Sequence, residues 1–201
     1  MKQKIAKFKV RDIGALLSIG PILSLIVLCL IVGSLSDKFF TVLNLINVVK
    51  QISCYAVLGI GMTFVIITGG IDLSQGSMLA FCCVLSGMTI NATGNMWLGM
   101  AVAILSGAVA GFLNGLVIAY VQIPAFIMTL GTMFIIRGAT LWLTNSTQIA
   151  VNHTAFKFIG QGFLFGIPVP VYVFLAAGLL AHLVLSKTST GRYIFSIGSN
   201  A

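Results

Sequence analysis

Asp72 stands in Thr68-Gly69-Gly70-Ile71-Asp72-Leu73-Ser74, with long apolar stretches on both sides. The chain has three acidic residues and no glutamate, and the other two, Asp12 and Asp37, lie near the ends of an apolar run. Hydrolytic or acid–base chemistry needs a partner for such a carboxylate. None is present in sequence: there are no paired carboxylates, no H-E-x-x-H and no Ser/His/Asp arrangement. His153 lies in a polar loop and His182 near the end of an apolar run, each without a neighbouring Asp, Glu or Cys. Cys29, Cys54, Cys82 and Cys83 sit inside apolar runs without C-x-x-C or Cys/His spacing, so they read as small buried hydrophobes and imply no metal. No G-x-x-x-x-G-K-[ST] phosphate loop occurs, and no cofactor is implied.

Two uses remain for Asp72. Gly69 and Gly70 suit the left-handed end of a helix. Asp72 or Ser74 then suits the cap of a new helix, accepting from free N–H groups and meeting the positive end of its dipole. The sequence therefore predicts a helix break around residues 69–74. A charge placed deep in a bilayer costs about 2.5–3.5 kcal/mol on insertion scales, so a direct role in a polar pathway is the second reading. The two are compatible.

The surrounding composition sets the solvent. Hydrophobic residues make up 59% of the 201 and charged residues 7%, with a mean hydropathy of +1.12. A soluble domain carries about 25% charged residues, so this chain cannot cover itself with a hydrated surface. In lipid the backbone must satisfy itself, and the long non-alternating runs select helices over a barrel. The prediction is an all-α polytopic membrane protein of about six spans: 13–35 (kinked at Pro21), 47–68, 76–90, 97–120, 125–143 and 169–185. Residues 1–201 read as one membrane domain with no soluble domain.

The net charge of +8 follows topology rather than nucleic acid. Lys2, Lys4, Lys7, Lys9 and Arg11 precede the first span, and Lys187 and Arg192 follow the sixth, which places residues 1–12 and 187–201 in the cytoplasm. Ile13–Leu35 is too long for a signal-peptide core, so the first span is expected to be uncleaved. In the fourth span Gly99, Ala103, Gly107, Gly111, Gly115 and Ala119 recur every fourth residue, a pattern that predicts close packing against another helix. Gln51, Asn114, Phe126, Thr129 and Thr132, with Asp72 and Arg137, are the candidates for a polar path. Arg137, well inside the fifth span, is expected to face the protein interior and find acceptors there.

Three segments, in order, resemble the ribose-type sugar permeases of ATP-binding-cassette importers. They are "TGGIDLSQGSMLAF", then "GFLNGLVIAYVQIPAFIMTLGTMFIIRGATLWLTN", then "GRYIFSIGSN" with Ser196 where alanine is usual. The resemblance covers nearly everything after the first span. It implies a non-enzymatic membrane subunit in the bacterial cell membrane that gives a monosaccharide such as ribose its path. It also implies a second permease copy or paralogue, cytoplasmic ATPase subunits and an extracytoplasmic sugar-binding protein. Family members are roughly half as long again, so this chain resembles their N-terminal part. Its tail, with Gly191, Arg192, Gly198 and Asn200, would be the start of the ATPase-coupling segment, the glycines serving as turns. The chain is accordingly expected to insert but to hold the ATPase poorly. The alternative is an ion-coupled secondary transporter for a small polar solute, a class that often carries inverted repeats; no repeat is visible here.

Overall fold

A computed structural model describes residues 2–199, with side chains from Ile19 onward. The chain divides into two units, Met1–Val48 and Val49–Ala201. The elements are α1 (Lys2–Leu35), α2 (Val42–Ile67), α3 (Gln75–Thr93), α4 (Met96–Val121), α5 (Ala125–Thr144), α6 (Thr154–Gln161), β1 (Phe163–Leu164), β2 (Ile167–Pro168), α7 (Val169–Lys187) and α8 (Ser189–Ser199). Among the described residues five helices, α2, α3, α4, α5 and α7, are long and apolar enough to cross a membrane. The described apolar part of α1 is Ile19–Leu35.

In the first unit α1 contains Pro21 within its length. The turn after it packs the Phe40 ring against Gly33. Thr41 then starts α2, its Oγ1 accepting from the Asn44 N–H at 3.4 Å while the Asn44 amide donates to Phe39 O at 2.7 Å.

In the second unit the connections explain the helix ends. Asn95 caps α4, its side chain accepting from the N–H groups of Trp97 and Leu98. Asn145 ends α5 at φ 49°, and Ser146 N–H donates to Leu141 O at 2.9 Å. One end of the unit gathers the α2–α3 break, the α4–α5 connection and α8: Gly70 lies against Ala125, and Gly198 against the Ile67 carbonyl. The other end gathers the α3–α4 turn and the 145–168 connection, where Asn91 Nδ2 donates to Ala150 O at 3.0 Å.

That connection, predicted only as a polar stretch, holds structure of its own. His153 caps α6, its Nδ1 accepting from Phe156 N–H at 3.3 Å. β1 and β2 then pair antiparallel, Leu164 opposite Ile167, around a turn with positive φ at both Phe165 and Gly166. Lys50 of α2 fastens this region, donating to Gln161 O at 3.1 Å with its ammonium 4.4 Å from the Phe163 ring centre.

The interior is inverted relative to a soluble protein. Among the described residues Ile90 and Ile136 are the buried hydrophobic side chains, whereas Ser53, Ser74, Ser86, Asn114, Thr129 and Thr144 are buried polar ones. Lipid is as apolar as leucine, so large apolar side chains gain nothing by leaving it, and small polar residues occupy the helix contacts instead.

Candidate functional site

Two motifs build the break between α2 and α3. Gly69, at φ 79°, turns the chain out of α2. Its N–H donates to Ile66 O at 2.9 Å, and Gly70 N–H donates to Val65 O at 3.1 Å, the paired bonds of a Schellman end. Asp72 then accepts two bonds on Oδ1, from Ser74 N–H at 2.8 Å and from the Ser74 hydroxyl at 2.6 Å. Ser74 is the boundary residue of α3, and its carbonyl takes the helix's first bond, from Met78 N–H at 2.9 Å. The carboxylate thus bonds the boundary residue Ser74 itself, and the Ser74 side chain makes no cap bond to α3.

Neighbouring helices hold the break in place. Thr129 of α5 is 3% exposed, and its Oγ1 accepts from Leu73 N–H at 3.2 Å. The Thr129 hydroxyl proton is within reach of Ala125 O (2.8 Å) and Ile71 O (3.2 Å). Asn114 of α4 donates to Ser74 Oγ at 3.5 Å and accepts from the Thr132 hydroxyl at 2.6 Å. A chain of polar groups, Thr132–Asn114–Ser74–Asp72, therefore crosses α5 and α4 to the break. Ser74, Asn114 and Thr129 are buried, so each of these bonds matters, because an unmade bond leaves a buried group unsatisfied.

Beside this cluster lies a cavity of about 970 Å³ between α2, α3 and α4. Its apolar end reaches Cys82 and Gly107; its other end is bordered by the break, Pro124 and Ile197 of α8. Asp72 is the charged residue in its wall.

The predicted path residues divide. Asp72, Asn114 and Thr129 line the cavity. Thr132 stands behind Asn114. Phe126 is 49% exposed and is no part of the wall. Gln51 is exposed, next to Lys50 at the opposite end of α2. Arg137 corrects the expectation made for it: it is exposed, not interior, because buried Ile136 occupies the inward face of α5 and the next residue is turned about 100° away. Asp72, bonded to Ser74, is not paired with it. Gln75 and Gln122 also line the cavity and were not singled out by the sequence. The only signal was position: Gln75 opens α3, and Gln122 ends α4 at φ 57°.

The small-residue row of α4 divides too. A methyl at Gly99 would run into the Ile90 side chain and come within 3.0 Å of Ser86 O, and one at Gly107 would meet Cys82 Sγ at 3.4 Å, both on α3. Positions 111 and 115 have nothing within 4 Å and face the cavity, and Ala119 is exposed. The row drifts about 40° per step, so after three steps it has left the α3 contact seen at Gly99. Ala103, between the packed glycines, is half-buried.

At the chain's end Gly191 and Gly198 do not make turns; both lie inside α8. Gly191 sits against the Val184 and Leu185 carbonyls and Gly198 against the Ile67 carbonyl, so both allow close approach of backbone. Arg192 is exposed, and Asn200 lies outside the described residues.

Residues 44–201 match the family model described as branched-chain amino acid transport system / permease component. A ribose import permease protein of Haemophilus influenzae is 34% identical over 204 residues, covering 100% of this chain and 62% of the relative. That of Escherichia coli K12 is 37% identical over 183 residues, 89% of this chain and 57% of the relative. An L-arabinose transport system permease protein of Escherichia coli K12 is 32% identical over 163 residues, 81% of this chain and 50% of the relative. The chain thus spans 62% or less of the length of these relatives. No solved structure matches it.

Proposed function

This chain belongs to the family of branched-chain amino acid transport system permease components, and on that premise we propose that it forms part of the membrane path of an ATP-driven importer for a small sugar. It is a multi-pass protein of the bacterial cell membrane. The observation that carries the reading is the cavity beside a fixed helix break: a mostly apolar cavity, walled by helices, into which a few hydroxyl and amide groups and one carboxylate are set. A neutral polyhydroxylated solute needs such groups and few charges. The relatives' names, ribose and L-arabinose, supply the solute class.

In this reading the break, the α4–α5 connection and α8 face the cytoplasm, with residues 1–12 and 187–201 on the same side, as the Lys and Arg distribution favours. ATP is hydrolysed on separate cytoplasmic ATPase subunits, an extracytoplasmic binding protein delivers the sugar, and a second permease copy or paralogue completes the path. α8 is the edge of the ATPase-coupling surface: Gly198 touches the Ile67 carbonyl at the end of α2, so motion of α8 reaches the break directly.

The test is sugar uptake into membrane vesicles that contain the assembled system. Uptake that requires internal ATP and survives collapse of proton and sodium gradients supports an ATP-driven importer. Uptake that follows a gradient and ignores ATP replaces it with the ion-coupled reading.

A further inference from the structure

The cavity wall contains amide, hydroxyl and thiol groups, and one formal charge. Among the described residues its lining includes no Lys, Arg or His, and Asp72 is the one ionisable oxygen acid. Asp72 Oδ1 is committed to Ser74 N–H and Ser74 O–H. Oδ2 takes no protein donor among the described residues. The carboxylate also stands at one of the two helix N-termini that border this wall; the other, the start of α5 at Pro124 and Ala125, has no side-chain cap and carries no formal charge. Free N–H groups at a helix N-terminus attract anions, and at α3 Asp72 already stands there. Aromatic side chains, which would grip a sugar ring, are absent from the lining among the described residues. The wall therefore offers weak hydrogen bonding to a neutral solute and a negative field to a charged one. A low-dielectric cavity lined by one sign of charge focuses that field.

We propose that the cavity admits uncharged polar solutes and rejects anions, phosphorylated sugars included, and that the Asp72 carboxylate makes this selection. The proposal deepens the transport reading, on which it rests for the identity of the solute. Its physical content concerns the cavity alone.

Gly111 provides a reporter. It lines the cavity, nothing lies within 4 Å of its Cβ position, and it is three residues from Asn114 on α4. In a background where Cys29, Cys54, Cys82 and Cys83 are replaced by serine, Gly111→Cys places one thiol there. The 201-residue chain, inserted in membrane vesicles, is treated with methanethiosulfonates carrying a hydroxyl, an ammonium or a sulfonate group. Each rate is divided by that reagent's rate with a small thiol in solution. At low salt the sulfonate is expected to react on the order of ten-fold more slowly than the hydroxyl reagent, as one carboxylate lining the same partly screened cavity implies. The ammonium reagent should react at least as fast as the hydroxyl reagent. Asp72→Asn and Asp72→Ser should each bring the sulfonate to within about two-fold of the hydroxyl reagent, and Asp72→Glu should keep the discrimination. Should the Asp72 variants fail to insert, the Gly111→Cys parent still decides: raising the salt to about 1 M must erase most of the sulfonate's disadvantage. Equal relative rates at low salt, discrimination untouched by salt or by loss of the carboxylate, or no reaction with any reagent would each overturn the proposal. These measurements need neither ATP nor transport, so they stand or fall separately from the uptake experiment.

Discussion

Replacing Thr129 by valine keeps the branched shape of the side chain and removes one oxygen. That oxygen is the acceptor for Leu73 N–H at 3.2 Å, and the side chain is 3% exposed. Leaving a buried donor unsatisfied costs about 1–3 kcal/mol. The loss falls on the local opening of the break rather than on α3 as a whole, because Thr129 touches the segment at Ile71 and Leu73. A change of about 1–3 kcal/mol in a local opening equilibrium corresponds to exchange roughly 5- to 150-fold faster. The assay is amide hydrogen exchange in detergent micelles, read on a peptide covering residues 70–76 and, for reference, on a peptide covering 86–91 of α3. Thr129→Val should accelerate exchange at Leu73 within that range and leave the reference peptide unchanged. Thr129→Ser, which keeps the oxygen, should behave as the parent. If valine leaves Leu73 exchange as slow as in the parent, the α5 hydroxyl does not hold the break and the reasoning fails.

Other substitutions probe the contacts around it. Gly99→Val should lower the thermal unfolding temperature, since the added methyls meet Ile90 and the Ser86 carbonyl and overpacking costs about 1–3 kcal/mol; Gly115→Ala, with open space at its Cβ, should stay within about 0.5 kcal/mol of the parent in the same scan. Gly198→Ala places a methyl against the Ile67 carbonyl, so α8 should detach from α2 and trypsin should cleave after Arg192 faster than in the parent. Lys50→Met removes the bond to Gln161 O and the contact with Phe163, and should speed proteolysis within 154–168 while changing global stability by no more than about 1 kcal/mol.

The parts of the fold legible in the sequence were those with local causes. Gly69-Gly70 followed by Asp72 and Ser74 carries its own chemistry: a left-handed end, then an acceptor for the next helix's N–H groups. The break consequently appears where predicted, with α2 ending at Ile67 and α3 starting at Gln75. Asn95, Pro124 and Pro168 set the starts of α4, α5 and α7 within a residue of the sequence reading for the same reason. The β1–β2 turn was not legible. Hairpin turns with two positive φ angles announce themselves as Asn-Gly or Asp-Gly, and here the first position is Phe165. Which polar side chains face the cavity was legible only in part, because one residue of helix rotation is about 100°. That rotation separates Ile136, buried, from Arg137, exposed, and no composition rule distinguishes their faces. The row of small residues on α4 shows the same limit. Its spacing was visible, but the point at which it leaves α3 for the cavity depends on where α2 stands.

The central claim is that the cavity beside the Asp72 break is the solute path. The most direct measurement is ATP-dependent sugar uptake by the assembled system with Gly115→Trp. Position 115 lines the cavity and has nothing within 4 Å of its Cβ, so an indole there is expected to reach into the cavity. A control, Ile104→Trp, puts the same side chain at a site 69% exposed that is no part of the cavity wall. The account predicts that Gly115→Trp reaches the membrane in parental amounts, unfolds at the parental temperature and takes up no sugar above background, while Ile104→Trp transports normally. Undiminished uptake by Gly115→Trp would contradict it.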